Sequence, residues 1–215
     1  MSDEARLRAD ANAFWRGSKP LVLASKSSAR AALLRQTGIP FIVGAAAIDE
    51  RAVEAPLRQA GADARAIAAH LARAKGEGVA RLHPGFLVLS ADQTLALDGR
   101  MFTKPASRDD ALVQLCALSG REHMLHSAIC VMRGSDILFE TVETAHMRMR
   151  PLSEPFLAAY ADAAGAALTV SVGAYQIEGL GIHLFESIAG EHSAVLGLPL
   201  IPLLEFLRRH GSLLG

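Results

Sequence analysis

The chain has 215 residues, 51% of them apolar, with 22 basic and 22 acidic side chains. That is enough apolar material for a large core and too much for a disordered chain, and a formal charge of zero excludes a protein held to polymeric nucleic acid mainly by phosphate neutralisation. No apolar run approaches the roughly 20 residues of a membrane helix, and the acid-bearing stretch Met1 to Lys19 has no secretory h-region.

Residues 3–16 place Ala5, Leu7, Ala9, Ala11, Phe14 and Trp15 among charges. This predicts a helical extension over residues 1–19, with an apolar side as a candidate homodimer surface, ahead of a single domain from 20 to 215. Pro20 to Ala24 is a buried strand. Ser25-Lys-Ser-Ser follows, and then a helix from Ala29 to Gln36 stopped by Thr37-Gly38. A strand, a small polar turn and a helix start offer N–H groups, hydroxyls and a positive dipole end to an anion. Ser27 or Ser28 reads equally well as an ordinary N-cap. Arg30 sits in the first turn, where a cation opposes the dipole, so it has another task.

Phe41 to Val43 is a second strand, and Ile48-Asp-Glu-Arg51 follows it. Glu50 is there either a solvated loop acid or a site residue. Residues 62–82 form a long helix with Ile67, Leu71, Ala74, Gly78 and Leu82 near one face and Lys75 beside that stripe. Phe86–Leu89 and Leu95–Leu97 read as two short buried strands, with Ser90-Ala-Asp-Gln-Thr94 between them. Burying a lone carboxylate is costly unless it is paired, hydrogen-bonded or on a metal, so Asp92 is the first candidate for chemistry. Asp98-Gly99 is a hairpin signal that returns Met101 to Pro105, and with them Lys104, towards Asp92. Lys104 also reads as a solvated lysine before a proline.

Ser107 caps a helix that runs to about Leu118, where Cys116 falls in an apolar pattern. Residues 121–133 and 137–149 are two long antiparallel strands carrying Cys130, His123, His126 and His146. The histidines fit no zinc spacing and read as satisfied or exposed. The two cysteines read as core residues of an intracellular, cytoplasmic protein. Pro151 to Ala164 is a helix capped by Ser153. Gly173 to Gly181, which holds Gln176 and Glu178, lacks the flanks of a dinucleotide fingerprint. It is either a turn or a place where the backbone approaches a ligand. Ile182–Ile188 is a strand, and an amphipathic helix after Leu198-Pro199 ends near His210.

These elements make an α/β fold with a mixed twisted sheet flanked by helices. The anion-accepting turn with Arg30, Lys75 and Lys104 suits phosphates. Two carboxylates, Glu50 and Asp92, suit a hard divalent cation, with one of them activating water. Together they describe phosphate-anhydride hydrolysis, in which positioning and charge neutralisation supply most of the catalysis.

Nine stretches in order carry a family resemblance. They are Leu-Ala-Ser-Lys-Ser-Ser-Ala-Arg (23–30), Ile-Asp-Glu (48–50), Ala-Arg-Ala-Lys (72–75), Ser-Ala-Asp-Gln-Thr (90–94), Thr-Lys-Pro (103–105), Leu-Ser-Gly-Arg (118–121), Arg-Pro-Leu-Ser (150–153), Gly-Ala-Tyr-Gln-Ile-Glu-Gly-Leu-Gly (173–181) and Gly-Leu-Pro-Leu (197–200). On these the chain resembles the Maf family of nucleoside triphosphate pyrophosphatases. The resemblance implies a Maf/ITPase-like fold of two lobes with a central cleft. It implies a nucleoside triphosphate substrate, cleaved between the α- and β-phosphates with Mg²⁺, or Mn²⁺ or Co²⁺, as house-cleaning of modified or noncanonical nucleotides. Asp92 matches the catalytic aspartate, and Glu50 the acid that helps it hold the metal. Arg30, Lys75 and Lys104 match the cations around the triphosphate, and Ser25 and Ser27 the hydroxyls of the first turn.

Ala29 stands where the family usually has Arg or Trp near the base. Asp92-Gln93, Glu178 and Leu184-Phe-Glu186 resemble the 7-methyl-GTP branch, whereas Gly173-Ala-Tyr175 resembles the dTTP/UTP branch. The base edge would be read by Glu178 or Gln176. The alternative within the same resemblance is a non-catalytic nucleotide-binding regulator of cell division and septum formation.

Overall fold

The structure is a computed structural model that describes residues 13–45 and 47–215. Among these residues seven strands form one sheet in the order β2-β1-β3-β5-β6-β7, with β4 on the flank of β3. They are β1 (Leu21–Ala24), β2 (Phe41–Val43), β3 (Val88–Leu97), β4 (Arg100–Phe102), β5 (Glu122–Arg133), β6 (Asp136–Met149) and β7 (Phe185–Ala189). β1 pairs in parallel with β2 and β3, whereas β3–β4 and β6–β7 are antiparallel, so the sheet is mixed as expected. The helices are α1 (Ser28–Gln36), α2 (Glu50–Gln59), α3 (Ala64–Ala80), α4 (Arg108–Leu118), α5 (Glu154–Ala164), α6 (His192–Val195) and α7 (Leu200–Arg209).

The chain divides into two compact units. The first comprises Met1–Asp92, Ser127–Glu143 and Glu191–Gly215. Its core follows from strand alternation, in which successive side chains take opposite faces. Leu21, Leu23, Leu89, Ala91, Ile129 and Val131 pack with Leu33 and Leu34 of α1 and Leu203 and Leu207 of α7. The intervening residues Val22, Ala24, Val88, Ala128, Cys130 and Met132 pack with Ala68, Ala72, Val79 and Ala80 of α3. The small residues of α3 let that helix lie close on the strands.

The second unit comprises Gln93–His126 and Thr144–Gly190. It holds β4, α4, α5, β7 and three 3-10 turns at Gly165–Thr169, Val172–Ala174 and Leu180–Leu184. Asp98 and Gly99 both have positive φ, 49° and 78°, which is the twist a two-residue hairpin demands. Ser107 and Ser153 cap α4 and α5 by accepting from Asp110 N and Phe156 N.

The structure departs from the sequence reading at several places. Residues 88–97 are one continuous strand, not two short ones, so Asp92 lies mid-strand. Ser90, Asp92 and Thr94 are buried polar residues that interrupt the apolar run without interrupting the backbone ladder. Glu50 opens a helix that the sequence hid, because α2 buries none of its residues and contains Pro56. Residues 180–184 are a 3-10 turn rather than strand. Cys116 is exposed, while Cys130 is buried, and both are free thiols. Trp15 forms an isolated bridge with Leu213 instead of lying in a helix; residues 1–12, which carry most of the expected extension and dimer surface, lie outside the described residues. Among the described residues no helix is long and apolar enough to cross a membrane.

Candidate active site

Within the first unit, three expected residues meet although they come from three elements. Lys75 is on α3, Asp92 on β3 and Glu50 at the first position of α2. Lys75 Nζ donates to Asp92 Oδ1 at 2.5 Å and lies 3.1 Å from Glu50 Oε1. One ammonium therefore bridges a withdrawn carboxylate and a solvent-facing one: the Asp92 side chain is 9% exposed and that of Glu50 54%.

The residue after Lys75 explains the approach. A Cβ at Gly76 would lie 2.8 Å from Ser90 Oγ and 2.9 Å from Met132 Sδ, closer than atoms pack. Only glycine lets α3 settle this tightly on β3, and that contact sets Lys75 against Asp92. The stripe reading placed Lys75 at the margin of the buried face; the role of Gly76 carried no signal beyond its size.

Burial pushes the Asp92 carboxyl above its ordinary value, against the pull of Lys75 and then Arg30, while Glu50 adds to the rise. A carboxylate that is ionised but resists ionisation is a stronger base than one in water.

The first turn is organised by its own hydroxyls. Ser27 caps α1, its Oγ accepting from Arg30 N at 3.3 Å, and Ser25 Oγ accepts from Ser27 N at 3.2 Å. Each hydroxyl is engaged as an acceptor and keeps its proton for donation. Arg30 does not simply point at an anion. Its Nε donates to Gly197 O at 2.8 Å and its Nη1 to Ala91 O at 2.9 Å, with Ser25 Oγ at 3.4 Å. It thus clamps the residue preceding Asp92 to the segment before α7. Burial lowers the Arg30 guanidinium from its ordinary value, opposed by Asp92 and Glu50. The sequence marked Arg30 as misplaced for the helix dipole, and the two carbonyls supply the reason.

The donors present suit a divalent cation in part. Glu50 and Asp92 supply hard oxygens close enough to share one ammonium, and no group of three acidic, His or Cys side chains with metal-site geometry occurs among the described residues. That matches the Mg²⁺ habit of using one or two carboxylates and completing its shell with water and substrate phosphates.

The remaining expected residues belong to the second unit. Lys104 is exposed, two residues beyond β4. Gln176 is half-buried and Glu178 exposed, both in the turn that ends at the 3-10 segment Leu180–Leu184. The sequence takes His123 for a satisfied or exposed histidine and Tyr175 for part of a branch motif; the two pair in the interior of this unit at 2.8 Å.

The profile of the family described as Maf-like protein matches residues 20–210. The chain belongs to the Maf family. A Maf relative named nucleoside triphosphate pyrophosphatase, from Bradyrhizobium diazoefficiens, is 54% identical over 195 residues, covering 91% of this chain and 96% of that protein. One named 7-methyl-GTP pyrophosphatase, from Rhizobium etli, is 47% identical over 195 residues, covering 91% and 98%. Among solved structures, a HAM1 protein from Coxiella burnetii overlaps with a TM-score of 0.39 at 20% identity, covering 60% of this chain and 72% of that one. The Maf match begins at Pro20, one residue before β1, and ends at His210, one residue after α7, so it spans every strand and helix named above.

Proposed function

We propose that this Maf protein is a nucleoside triphosphate pyrophosphatase that splits the α–β anhydride into a nucleoside monophosphate and pyrophosphate. The observation that carries this is the Lys75 bridge between buried Asp92 and exposed Glu50. Long relatives bearing that name at about half identity support the same reading.

Asp92, ionised, accepts a proton from water as its oxygen bonds to phosphorus; the anhydride P–O bond breaks, and its electron pair leaves with pyrophosphate. Burial makes Asp92 basic enough for this, and the β3 ladder holds it still. The O–H groups of Ser25 and Ser27 and the start of α1 receive phosphate oxygens. Lys75 shifts from its acids to the incoming phosphates. When bound, a divalent cation (Mg²⁺, or Mn²⁺ or Co²⁺) would sit on Glu50 and Asp92 and neutralise phosphate charge. Lys104 is assigned to the triphosphate, and Gln176 and Glu178 to the base, on their motif positions.

The substrate class we favour is modified or noncanonical triphosphates, methylated purines included, on Glu178 and Gln93. A cytoplasmic setting fits two free thiols. The alternative of a non-catalytic regulator of septum formation leaves a buried, cation-paired carboxylate without a task.

The test is a panel of ordinary and modified triphosphates assayed for pyrophosphate with each metal and with EDTA. Pyrophosphate release that needs metal and disappears in Asp92→Asn is expected. Release of single phosphates, or full activity of Asp92→Asn, sinks the reading.

A further inference from the structure

The second unit holds a strained turn. Ala174 has a φ of 61°, a left-handed conformation rare for a residue with a Cβ, directly after Gly173 at 79°. Such strain persists only where the surroundings over-determine it, and it gathers at functional sites. Three hydroxyls fix this one. Tyr160 Oη donates to Ala174 O at 3.1 Å, and Ser171 Oγ donates to Tyr175 O at 2.5 Å. Tyr175 Oη pairs with His123 Nε2 at 2.8 Å.

The last pair is an expensive way to fill space. Tyr175 is 5% exposed and His123 1%, and both rings pack on Phe185, at 4.9 and 6.0 Å between centroids. Burial pushes His123 down to about 4, so the imidazole is neutral at physiological pH. Its Nδ1 is buried with no hydrogen-bond partner among the described residues. A Phe–Leu contact would occupy the same volume with no such desolvation. What the polar pair adds is direction, because a single bond from β5 fixes the Tyr175 ring and so the chain that follows it.

That chain is fixed at its far end too. Gln176 O accepts from Gly179 N at 3.2 Å and from Gly181 N at 3.1 Å. A Cβ at Gly181 would lie 2.4 Å from that carbonyl, so no larger residue fits there. On this loop the side chains of Gln176 and Glu178 make no hydrogen bond or ion pair among the described residues. A backbone immobilised at both ends that offers two uncommitted polar groups is suited to reading a ligand edge.

We propose that the Tyr175–His123 pair positions the Gln176–Glu178 turn and thereby sets nucleobase discrimination without taking part in phosphate chemistry. This rests on the reading of Gln176 and Glu178 as base contacts. A carboxylate accepts only, and a primary amide both donates and accepts, so the preferred base presents N–H groups at its edge.

The experiment compares calorimetric binding of a series of nucleoside monophosphates with that of inorganic triphosphate, which has phosphates and no base. Tyr175→Phe keeps the ring and deletes the bond. It should weaken the best monophosphate about five- to tenfold, flatten the ranking of bases and leave inorganic triphosphate within about twofold. Adding His123→Leu should cost no further discrimination. Leu118→Val, a core truncation elsewhere in the same unit, should lower thermal stability and leave the ranking of bases intact. Equal losses on monophosphates and inorganic triphosphate, or an unchanged ranking in Tyr175→Phe, overturn the proposal. If the wild type hydrolyses every triphosphate with one kcat/KM, this inference fails and the hydrolase reading stands. If it binds monophosphates with a Tyr175-dependent ranking yet releases no pyrophosphate, the hydrolase reading fails and this one stands.

Discussion

Lys75 donates to Asp92 at 2.5 Å, and burial still dominates the titration of that carboxyl. The ammonium keeps Asp92 ionisable without making it comfortable. Such a pairing suits a base better than a structural anchor, and under the proposed mechanism it would link activity to stability.

Asp92→Asn should lose at least about a hundredfold in turnover, the range of a general base, without losing thermal stability. The sign follows from the raised pKa. The burden of ionising Asp92 is absent below its ordinary value of 3.8, grows as pH rises towards the shifted value, and is constant above it. The variant lacks that burden at neutral pH. Thermal melts at pH 5 and pH 8 check this, and a lower midpoint in the variant at pH 8 would show that the Lys75 pairing outweighs burial.

In the metal-free protein, the Asp92 carboxyl should titrate in opposite directions in two neighbouring variants. Lys75→Gln removes the largest influence holding it down, so its midpoint rises. Glu50→Gln removes a like charge, so its midpoint falls. Carbon-detected NMR of the side-chain carboxyls gives both, and shifts of the same sign contradict the geometry.

Arg30→Lys should behave like a loss, not a conservative change. The guanidinium serves Gly197 O and Ala91 O from two different nitrogens, and one ammonium cannot reproduce that fork. Ala91 is fully buried, so the carbonyl left behind costs about 1–3 kcal/mol. Denaturant melts of the variant should show that drop, with Arg30→Ala no more than slightly worse.

Two glycine-to-alanine changes should separate strain from collision. Gly99→Ala meets no atom within 4 Å and suffers only from a φ of 78°, a cost of roughly 1–2 kcal/mol. Gly181→Ala drives a methyl into the Gln176 backbone and must displace the turn. Thermal shift assays should rank Gly181→Ala as the more destabilised.

Much of this fold was legible because its signals are local. The Asp98-Gly99 hairpin, the Ser107 and Ser153 caps and the continuous apolar run of β1 each lie within a few residues. α2 was not legible, since a helix that buries nothing leaves no apolar stripe to read. β3 was misread because Ser90, Asp92 and Thr94 lie buried inside a strand that packing alone would have made apolar. The site residues Glu50, Lys75 and Asp92 were recognisable as types, and their meeting was carried by the motif order. The Gly76 approach and the Arg30 clamp depend on atoms distant in sequence, and no periodicity records them.

The mid-strand seat of Asp92 also limits how this protein can change length. Strand neighbours alternate between the α3 side and the α1 side, as Val88 and Leu89 do. Adding or deleting one residue between Val88 and Asp92 would swing the carboxylate through the sheet, from the Lys75 side into the leucines beneath α1. Drift in chain length is therefore confined to the turns, and this short stretch acts as a ruler whose graduations cannot slip.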